Sequence, residues 1–403
     1  MSVVSQAPDL SGTSLSFRAG AKSIIQNWTI GIMTFVLPDG REIRLEGPEP
    51  GPEARLLVHD YNFIKRTFAT GTIGFGEGYM AGEWDTPNLS LLLQVLAANF
   101  ARFERVAFGN PCMTLVNLLN HALRTNSRLG SKKNIQAHYD LGNAFYSRWL
   151  DPTMTYSAAI YEKPGELLAE AQQRKYDTLC TGMSLHPDHH VLEIGCGWGG
   201  FAEFAAKEVG AKVTAITISE EQFKFAKERM FKEGLNERAD IRLIDYRDVD
   251  GQFDRVASIE MFEAVGEKYW PTYFDKVRES LPAGGVAGLQ IITIKDELFD
   301  HYRRTPDFIQ KYIFPGGMLP SEERLKAETD RAGLSWAGIN RFGQNYADTL
   351  AEWGDRFEAA WDEIKHLGFD ERFRKLWKFY LSYCEAGFRT ERTDVVQLNL
   401  AKA

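Results

Sequence analysis

The sequence has few cysteines and no excess of basic side chains, and each shortage excludes a class of protein. Among 403 residues there are four cysteines, Cys112, Cys180, Cys196 and Cys384, at spacings of neither a metal site nor a disulfide framework. We therefore expect no bound metal and a reducing compartment, the cytoplasm. The chain has 47 Lys and Arg against 55 Asp and Glu. Because phosphate binding needs a basic surface, this balance excludes nucleic acid as the main partner.

The sequence also lacks an apolar run long enough to cross a membrane. A bilayer span needs about 20 predominantly apolar residues, whereas the uncharged stretch 106–123 is interrupted by glycine, proline, asparagine and histidine. We expect an amphipathic helix there that lies on a membrane rather than in it. Four basic side chains follow the stretch: Arg124, Arg128, Lys132 and Lys133. They fit either a solvated linker or a contact with anionic lipid headgroups.

The hydrophobic pattern divides the chain into three parts. Residues 1–105 combine a hairpin pattern around Pro38-Asp39-Gly40, more strand-like residues at 55–71 and a leucine-rich helix, which is typical of a small α+β domain. Residues 106–130 are predicted to be a helical connector. In residues 131–403, strands alternate with helices, which is typical of an α/β fold with a mostly parallel sheet.

Five strands are predicted in the third part. They are 191–195, 211–217, 239–245, 254–260 and 286–294. Two long helical patterns, 345–366 and 369–389, precede a terminal strand, and we expect them to form an inserted helical lid.

The stretch 191–200, VLEIGCGWGG, carries the strongest chemical signal. An apolar strand with the acidic Glu193 is followed by three spaced glycines and the start of a helix: Gly195, Gly197 and Gly199. The glycines let the backbone turn tightly and approach a ligand closely. Dinucleotide enzymes space their glycines differently, and a carboxylate suits a cationic sulfonium better than a pyrophosphate. We therefore predict a site for S-adenosylmethionine (SAM), with Trp198 against its methionine end.

Polar residues after the next two strands extend this predicted site. Thr217, Ser219 and Gln222 would supply neutral hydrogen-bond partners for the cofactor. Ser219 fits equally well as the N-cap of the following helix. Asp245 ends the predicted third strand and Tyr246 comes next, and Asp245 would accept a hydrogen bond there from the adenine amine.

Six stretches together resemble the cyclopropane-fatty-acyl-phospholipid synthase family, which includes the mycolic acid cyclopropane synthases. They are 135–161, 191–206, 213–222, 245–249, 258–266 and 311–321. The resemblance runs from about residue 71 to the C-terminus, and the N-terminal domain is similar to that of the phospholipid-acting members. It implies a class I SAM-dependent methyltransferase fold, with a Rossmann-like, doubly wound sheet of seven strands.

The resemblance also implies an activity and a location. SAM would methylate the cis double bond of an unsaturated acyl chain in a membrane phospholipid. The enzyme would be a cytoplasmic homodimer, associated peripherally with the inner face of the membrane. Its N-terminal domain would dock on lipid or dimerise. Two alternatives are a methyltransferase of a soluble small molecule and a catalytically silent SAM- or lipid-binding protein.

In this family a bound bicarbonate removes the proton, held by the backbone at a Cys position and by a Glu, a His and a Tyr. By resemblance the Glu is Glu263 and the Tyr is Tyr312, whereas Ala158 stands for the Cys and Gln290 for the His. Glu260 is an added carboxylate. A protein carboxylate, Glu260 or Glu263, could therefore replace the ion as base. The product would be either a cyclopropane or a methyl-branched alkene.

Two further groups of residues are assigned from their position. His138 and Tyr139, with Tyr156 and Ser157, would fold over SAM by resemblance, or else belong to a packed helix. Several aromatic residues are candidates for lining an acyl tunnel, although most aromatic residues at helical spacing are core. They are Phe262, Tyr302, Phe308, Phe314, Tyr346, Phe357, Tyr380 and Phe388.

Overall fold

The computed structural model describes residues 27–107 and 141–403, together with Thr13 and Arg18. The described residues form two compact units. One unit joins the residues up to 107 with 304–313 and 368–391, and the other joins 141–303 with 314–367 and 392–403. Across the described part of the chain, no helix combines the length and apolarity that a bilayer span needs.

The first unit contains a four-stranded sheet with strand order β2-β1-β3-β4. Its strands are β1 (Ile30–Val36), β2 (Glu42–Glu46), β3 (Glu49–Val58) and β4 (Trp84–Asp85). Its helices are α1 (Asn62–Thr70), α2 (Thr72–Met80), α3 (Leu89–Ala107), α10 (Phe308–Tyr312) and α14 (Glu371–Arg389). The predicted hairpin is present, because β1 and β2 pair antiparallel around Gly40, whose φ is 82°. The strand-like pattern at 55–71 was wrong beyond Val58, where the chain turns into α1.

The predicted domain boundaries differ from this division. Helices α10 and α14 lie in the part predicted to be catalytic, yet both belong to the first unit. Phe308 and Phe379 from these helices enter an apolar core that also holds Trp84, and their rings lie 4.5 Å apart. An amphipathic helix buries its apolar face wherever a matching surface exists, and sequence order does not reveal which surface that is.

The second unit is built on a seven-stranded sheet with strand order β10-β11-β9-β8-β5-β6-β7. Its strands are β5 (His190–Ile194), β6 (Lys212–Thr217), β7 (Ala239–Leu243), β8 (Arg255–Ile259), β9 (Val286–Ile294), β10 (Leu334–Arg341) and β11 (Thr393–Lys402). Strands β5 to β9 run parallel, and β11 and β10 add antiparallel pairs at one edge. The predicted α/β class with a doubly wound, seven-stranded sheet is confirmed. Strand β10 was not predicted.

The helices of this unit complete its layers. They are α4 (Asn143–Tyr146), α5 (Leu168–Gly182), α6 (Gly200–Phe204), α7 (Glu220–Lys232), α8 (Trp270–Glu279), α9 (Asp296–Tyr302), α11 (Glu322–Arg331), α12 (Gly343–Ala359) and α13 (Trp361–Ile364). Of the two helical patterns predicted as a lid, the first forms α12 and α13 here, and the second forms α14 of the first unit.

Apolar side chains cover both faces of the seven-stranded sheet, as buried parallel strands require. On β5, Leu192 and Ile194 enter one apolar cluster and Val191 enters the other. Side chains alternate along a strand, so Glu193 shares the face of Val191. The fold therefore places a carboxylate inside an apolar layer, at the end of the strand that leads into the glycine-rich loop.

Candidate active site

The glycine-rich loop after β5 adopts backbone conformations that favour glycine. Gly195, Gly197 and Gly199 have φ angles of 85°, 51° and 85°. A Cβ on Gly195 would lie 2.6 Å from Cγ of Met261, whereas a Cβ on Gly197 would meet no described atom within 4 Å. The loop is thus closely packed at its first glycine and open at its second, where a ligand can approach the backbone.

Glu193 gives a second indication of a ligand beside this loop. The residue is 2 % exposed, and its Oε2 has no hydrogen-bond partner among the residues described here. Burial raises the pKa of Glu193 to about 8. A buried carboxylate oxygen without a donor is costly, so a cationic, N–H-bearing ligand would satisfy it. The ammonium group of SAM has this chemistry, and the residues of the loop fit SAM.

The polar residues after β6 are occupied with one another. Thr217 donates its hydroxyl hydrogen to Oε1 of Gln222 at 2.9 Å, and Ser219 accepts from the backbone N–H of Gln222. Ser219 is the N-cap of α7, so the alternative of a cap is confirmed for this residue. A role of these three side chains in holding the cofactor stays a prediction.

Asp245 is also engaged within the protein. Its two carboxylate oxygens accept hydrogen bonds from the guanidinium of Arg247 at 2.8 and 2.6 Å. Tyr246 packs its ring 5.6 Å from that of Tyr273. The predicted contact of Asp245 with adenine would share this carboxylate with Arg247, and it stays a prediction.

Aromatic side chains gather beside the loop. The indole N–H of Trp198 donates to Oδ1 of Asn143 at 2.7 Å, and its ring lies 5.0 Å from Tyr146. The ring of Tyr156 lies 5.5 Å from Tyr146 and 5.2 Å from Trp353. The predicted residues Tyr156 and Trp198 are therefore joined through Tyr146. His138 and Tyr139 lie outside the described residues.

A carboxylate pocket, defined here by Ala158, Glu260, Gln290 and Tyr346, lies at the end of β8. Glu260 Oε1 accepts from the backbone N–H of Ala158 and from Nε2 of Gln290, each at 2.8 Å. Its Oε2 accepts from the hydroxyl of Tyr346 at 2.7 Å. Gln290 is fully buried, whereas Glu260 is half-buried and keeps part of its surface accessible. Burial raises the pKa of Glu260, and these donors oppose the rise.

Glu263 lies near Glu260 but has fewer donors. Its Oε1 accepts from the backbone N–H of Ile292 at 2.5 Å, and its Oε2 is buried with no partner among the described residues. Burial, with the negative charge of Glu260 as the second cause, raises the pKa of Glu263 to about 8. The structure thus joins Gln290 to Glu260 and places Glu263 where the charge of Glu260 acts on it, so the two carboxylates have unequal surroundings.

The tyrosine of the pocket is Tyr346, which was predicted only as an aromatic candidate for the acyl tunnel. Tyr312 lies in the first unit, where its hydroxyl donates to Oε1 of Glu77 at 2.6 Å. A catalytic role of Tyr312 stays a prediction. Of the other tunnel candidates, Phe262 and Phe308 are core residues of the second and the first unit.

Lys175 on α5 was not predicted as a site residue. It is fully buried, and its Nζ donates to Oγ of Ser157 at 2.8 Å. Burial lowers the pKa of Lys175 to about 7, and the largest opposing charge is Glu260. A signal existed in the sequence, because Lys175 lies seven residues after Leu168 and four before Leu179, on the apolar stripe of a helix. No group of metal-ligating side chains occurs among the described residues.

Comparison with known proteins shows the family of this chain. The family model described as "Mycolic acid cyclopropane synthetase" matches residues 126–398. The chain belongs to this family. It is a SAM-dependent methyltransferase. The chain is 39% identical over 358 residues to tuberculostearic acid methyltransferase UfaA1 of Mycobacterium tuberculosis, covering 86% of this chain and 83% of that protein.

Two further members of the family are similar to this chain. The cyclopropane-fatty-acyl-phospholipid synthase of Escherichia coli is 36% identical, over 88% of this chain and 89% of that one. The crystal structure of mycolic acid cyclopropane synthase CmaA1, complexed with SAH and CTAB, superposes with a TM-score of 0.63 at 30% identity. It covers 67% of this chain and 98% of that chain. The predicted family, fold and cofactor are confirmed.

Proposed function

We propose that this enzyme methylates the cis double bond of an unsaturated acyl chain in a membrane phospholipid, giving a cyclopropane or a methyl-branched alkene. The observation that carries the proposal is the carboxylate of Glu260, whose hydrogen-bond partner Tyr346 has its ring 6.1 Å from Trp353 of an aromatic cluster. An alkene has no proton to lose before it attacks an electrophile, so it becomes a cation afterwards. Such a cation needs aromatic faces and a base, and this arrangement supplies both.

The chemistry divides between cofactor and protein. SAM, when bound, would supply an electrophilic methyl group: the π electrons of the chain would form the new C–C bond while the methyl–sulfur bond breaks and S-adenosylhomocysteine leaves. The cluster of Tyr146, Trp149, Tyr156 and Trp353, with ring centroids 5.2 to 5.8 Å apart, offers faces that stabilise the cation. A carboxylate of the pocket then accepts a proton. Loss from the added methyl group closes a ring, and loss from a neighbouring chain carbon leaves a branched alkene.

The phospholipid substrate and the location belong to the same proposal. The name of the Escherichia coli relative gives it a phospholipid substrate, and the match covers most of both chains. We infer that the enzyme works as a cytoplasmic homodimer at the inner face of the membrane. The first unit would dock it there, with the basic residues at 124–133, which lie outside the described residues. A protein base replaces bicarbonate in this proposal.

The experiment that tests the function is lipid analysis of cells that express the protein with methyl-labelled methionine. Mass spectrometry should show phospholipid acyl chains that have gained one CH2 and the label. Proton NMR then separates the products, since a cyclopropane gives upfield ring protons and a branched alkene keeps an olefinic signal. Unchanged acyl chains, together with label in a soluble metabolite, would support a small-molecule methyltransferase instead. Unchanged lipids and metabolites would support a silent binding protein.

A further inference from the structure

We propose that Glu260, and not Glu263, is the carboxylate that takes the proton, and that the buried Lys175 keeps Glu260 ionised. This inference rests on the proposed function and assigns the base within it. The two glutamates are three residues apart, so the sequence alone does not separate them. Their hydrogen-bond partners do.

The donors around Glu260 favour its ionised form. A carboxylate has about four acceptor positions, and three are filled, two on Oε1 and one on Oε2. The backbone N–H of Ala158 and the Nε2 group of Gln290 donate and cannot accept, so a proton on Oε1 would meet two donors. On Oε2 the partner is the hydroxyl of Tyr346, which can turn and accept. The pocket therefore leaves Oε2 as the place for an incoming proton.

The orientation of the Gln290 amide is fixed by a chain of contacts. Nε2 of Gln397 donates to the backbone carbonyl of Lys175 at 3.0 Å, and a carbonyl can only accept. The same Nε2 donates to Oε1 of Gln290 at 3.1 Å. Gln290 is thus held with its Nε2 toward Glu260, and a flipped amide would break this chain.

Lys175 provides the positive charge. Ser157, whose Oγ accepts from Lys175 Nζ, directly precedes Ala158, whose N–H donates to Glu260. The acidic groups that act on this ammonium are Glu260 first, then Asp151 and Glu193. A fully buried ammonium is stable only near negative charge, so Lys175 and Glu260 each favour the charged form of the other.

Glu263 lacks these features. It has one N–H donor, from Ile292, and a buried oxygen with no partner within the described residues. Its strongest charged neighbour is Glu260, and two carboxylates this close do not both ionise readily. Glu263 therefore keeps its own proton and cannot accept another.

The backbone of Glu260 also carries strain. Its φ is 49°, a left-handed conformation that is unusual for a residue other than glycine. Its N–H donates to the carbonyl of Gln290 at 2.8 Å, which holds the conformation. Such strain concentrates at functional sites, and here it occurs at the residue that carries the pocket's carboxylate.

The transfer of a proton from the cationic chain to Glu260 needs no further reactant. A C–H bond of the cationic chain breaks, and its electron pair forms either the ring C–C bond or the new C=C bond. The proton goes to Oε2 of Glu260. Release of that proton to solvent restores the carboxylate for the next turnover.

The first test compares two isosteric variants on vesicles of dioleoyl phosphatidylglycerol, with SAM binding measured by calorimetry. General-base catalysis contributes on the order of 100- to 10,000-fold, so Glu260→Gln should lose at least about 100-fold in kcat while it binds SAM normally. Glu263→Gln should lose much less kcat than Glu260→Gln, because an amide mimics a protonated acid. A large loss in Glu263→Gln with an active Glu260→Gln would overturn the assignment.

Chemical rescue distinguishes the loss of the base from a folding defect. In Glu260→Ala, the three donors remain and the cavity fits a small carboxylate. Sodium formate should restore turnover of this variant but not of Glu260→Gln, in which the amide fills the space, and sodium chloride should restore neither. Equal turnover of Glu260→Ala with and without formate, at the wild-type level, would overturn the proposal.

Infrared spectra of the ligand-free protein test the charges independently of activity. Glu193 and Glu263 should both contribute to the C=O stretch of protonated carboxyls, so this absorption should decrease by one component in Glu263→Gln and stay unchanged in Glu260→Gln. In Lys175→Met a new protonated-carboxyl band should appear, and it should vanish in Lys175→Met/Glu260→Gln. A band lost in Glu260→Gln, or none gained in Lys175→Met, would contradict the assignment. If wild type modifies no phospholipid, the proposed function fails, and these spectra still decide the charges.

Discussion

The cofactor loop and the carboxylate pocket follow neighbouring strands of one sheet, yet they are built in different ways. The loop is one continuous stretch after β5, and its glycines are needed by its own backbone angles. The pocket draws on residues 158, 260, 290 and 346, which come from separate parts of the chain, and Gln397 from a further part holds Gln290. A site made from one local stretch is visible in a sequence, whereas a site made by the fold is visible only once strands and helices are placed.

The largest effect should come from breaking the local site. In Gly195→Val a side chain would replace hydrogen at φ 85° and collide with Met261. Left-handed backbone costs about 1–2 kcal/mol for such a residue, and the collision adds to it, so SAM affinity should fall by more than about tenfold. Calorimetry of SAM binding measures this.

Gly234→Ala is the matched control for that variant. Gly234 also has a positive φ, 68°, but its Cβ would meet no described atom within 4 Å. The substitution should lower the free energy of unfolding by about 1 kcal/mol and leave SAM affinity unchanged. Equal losses of affinity in both variants would show that backbone strain alone, and not the loop's packing, explains the effect.

The second prediction concerns the two tyrosines that sequence and structure assign differently. Tyr346→Phe removes a donor to an ionised carboxylate, which is worth about 1.5–3 kcal/mol. We therefore expect kcat to fall by about tenfold or more, while SAM affinity is kept. Steady-state turnover of unsaturated phospholipid measures it.

Tyr312→Phe serves as the comparison. Its hydroxyl donates to Glu77, which Lys311 also binds at 2.7 Å. The loss should lower stability by about 1 kcal/mol and leave kcat within about twofold, by the same scale of rate and energy. A kcat that falls in Tyr312→Phe but not in Tyr346→Phe would show that Tyr312, the tyrosine predicted from the family resemblance, acts in the reaction. It would also remove Tyr346 from the mechanism.

The sequence predicted the features that rest on local contacts and missed those that rest on contacts between distant residues. Strand β9 was predicted to the residue, because a nine-residue run rich in apolar and β-branched residues, with Gln290 as its one polar amide, is typical of a buried strand. The Ser219 cap was visible because a cap is a contact over three residues. The Gln397–Gln290 contact spans 107 residues, and no local pattern marks it. For the same reason the sequence did not predict that α14 belongs to the first unit.

The third prediction uses the raised pKa of Glu263, about 8, against an ordinary value near 4.5. At a pH between these two pKa values, Glu263 has lost its proton in the unfolded chain and keeps it in the folded chain. Stability from this group is therefore fully present at low pH and is lost as pH rises toward 8. Glu263→Gln has no proton to release. Thermal unfolding should show the variant gaining stability relative to wild type between about pH 5 and pH 8, and a constant difference would contradict the charge assignment.

The smallest expected effect is that of Ser219→Ala, which tests whether Ser219 acts only as a helix cap or also contacts the cofactor. Ser219 caps α7 and was also predicted to contact SAM. Ser219→Ala removes the cap, which costs about 1 kcal/mol, and urea unfolding should show that loss. If the side chain acts as a cap alone, SAM affinity stays within about twofold, a change of less than about 0.5 kcal/mol, and Ser219→Asp restores stability. An affinity that falls in Ser219→Ala and returns in Ser219→Thr, but not in Ser219→Asp, would add the hydroxyl to the cofactor site. In that case the side chain of Ser219 would serve both the fold, as the cap of α7, and the binding of the cofactor.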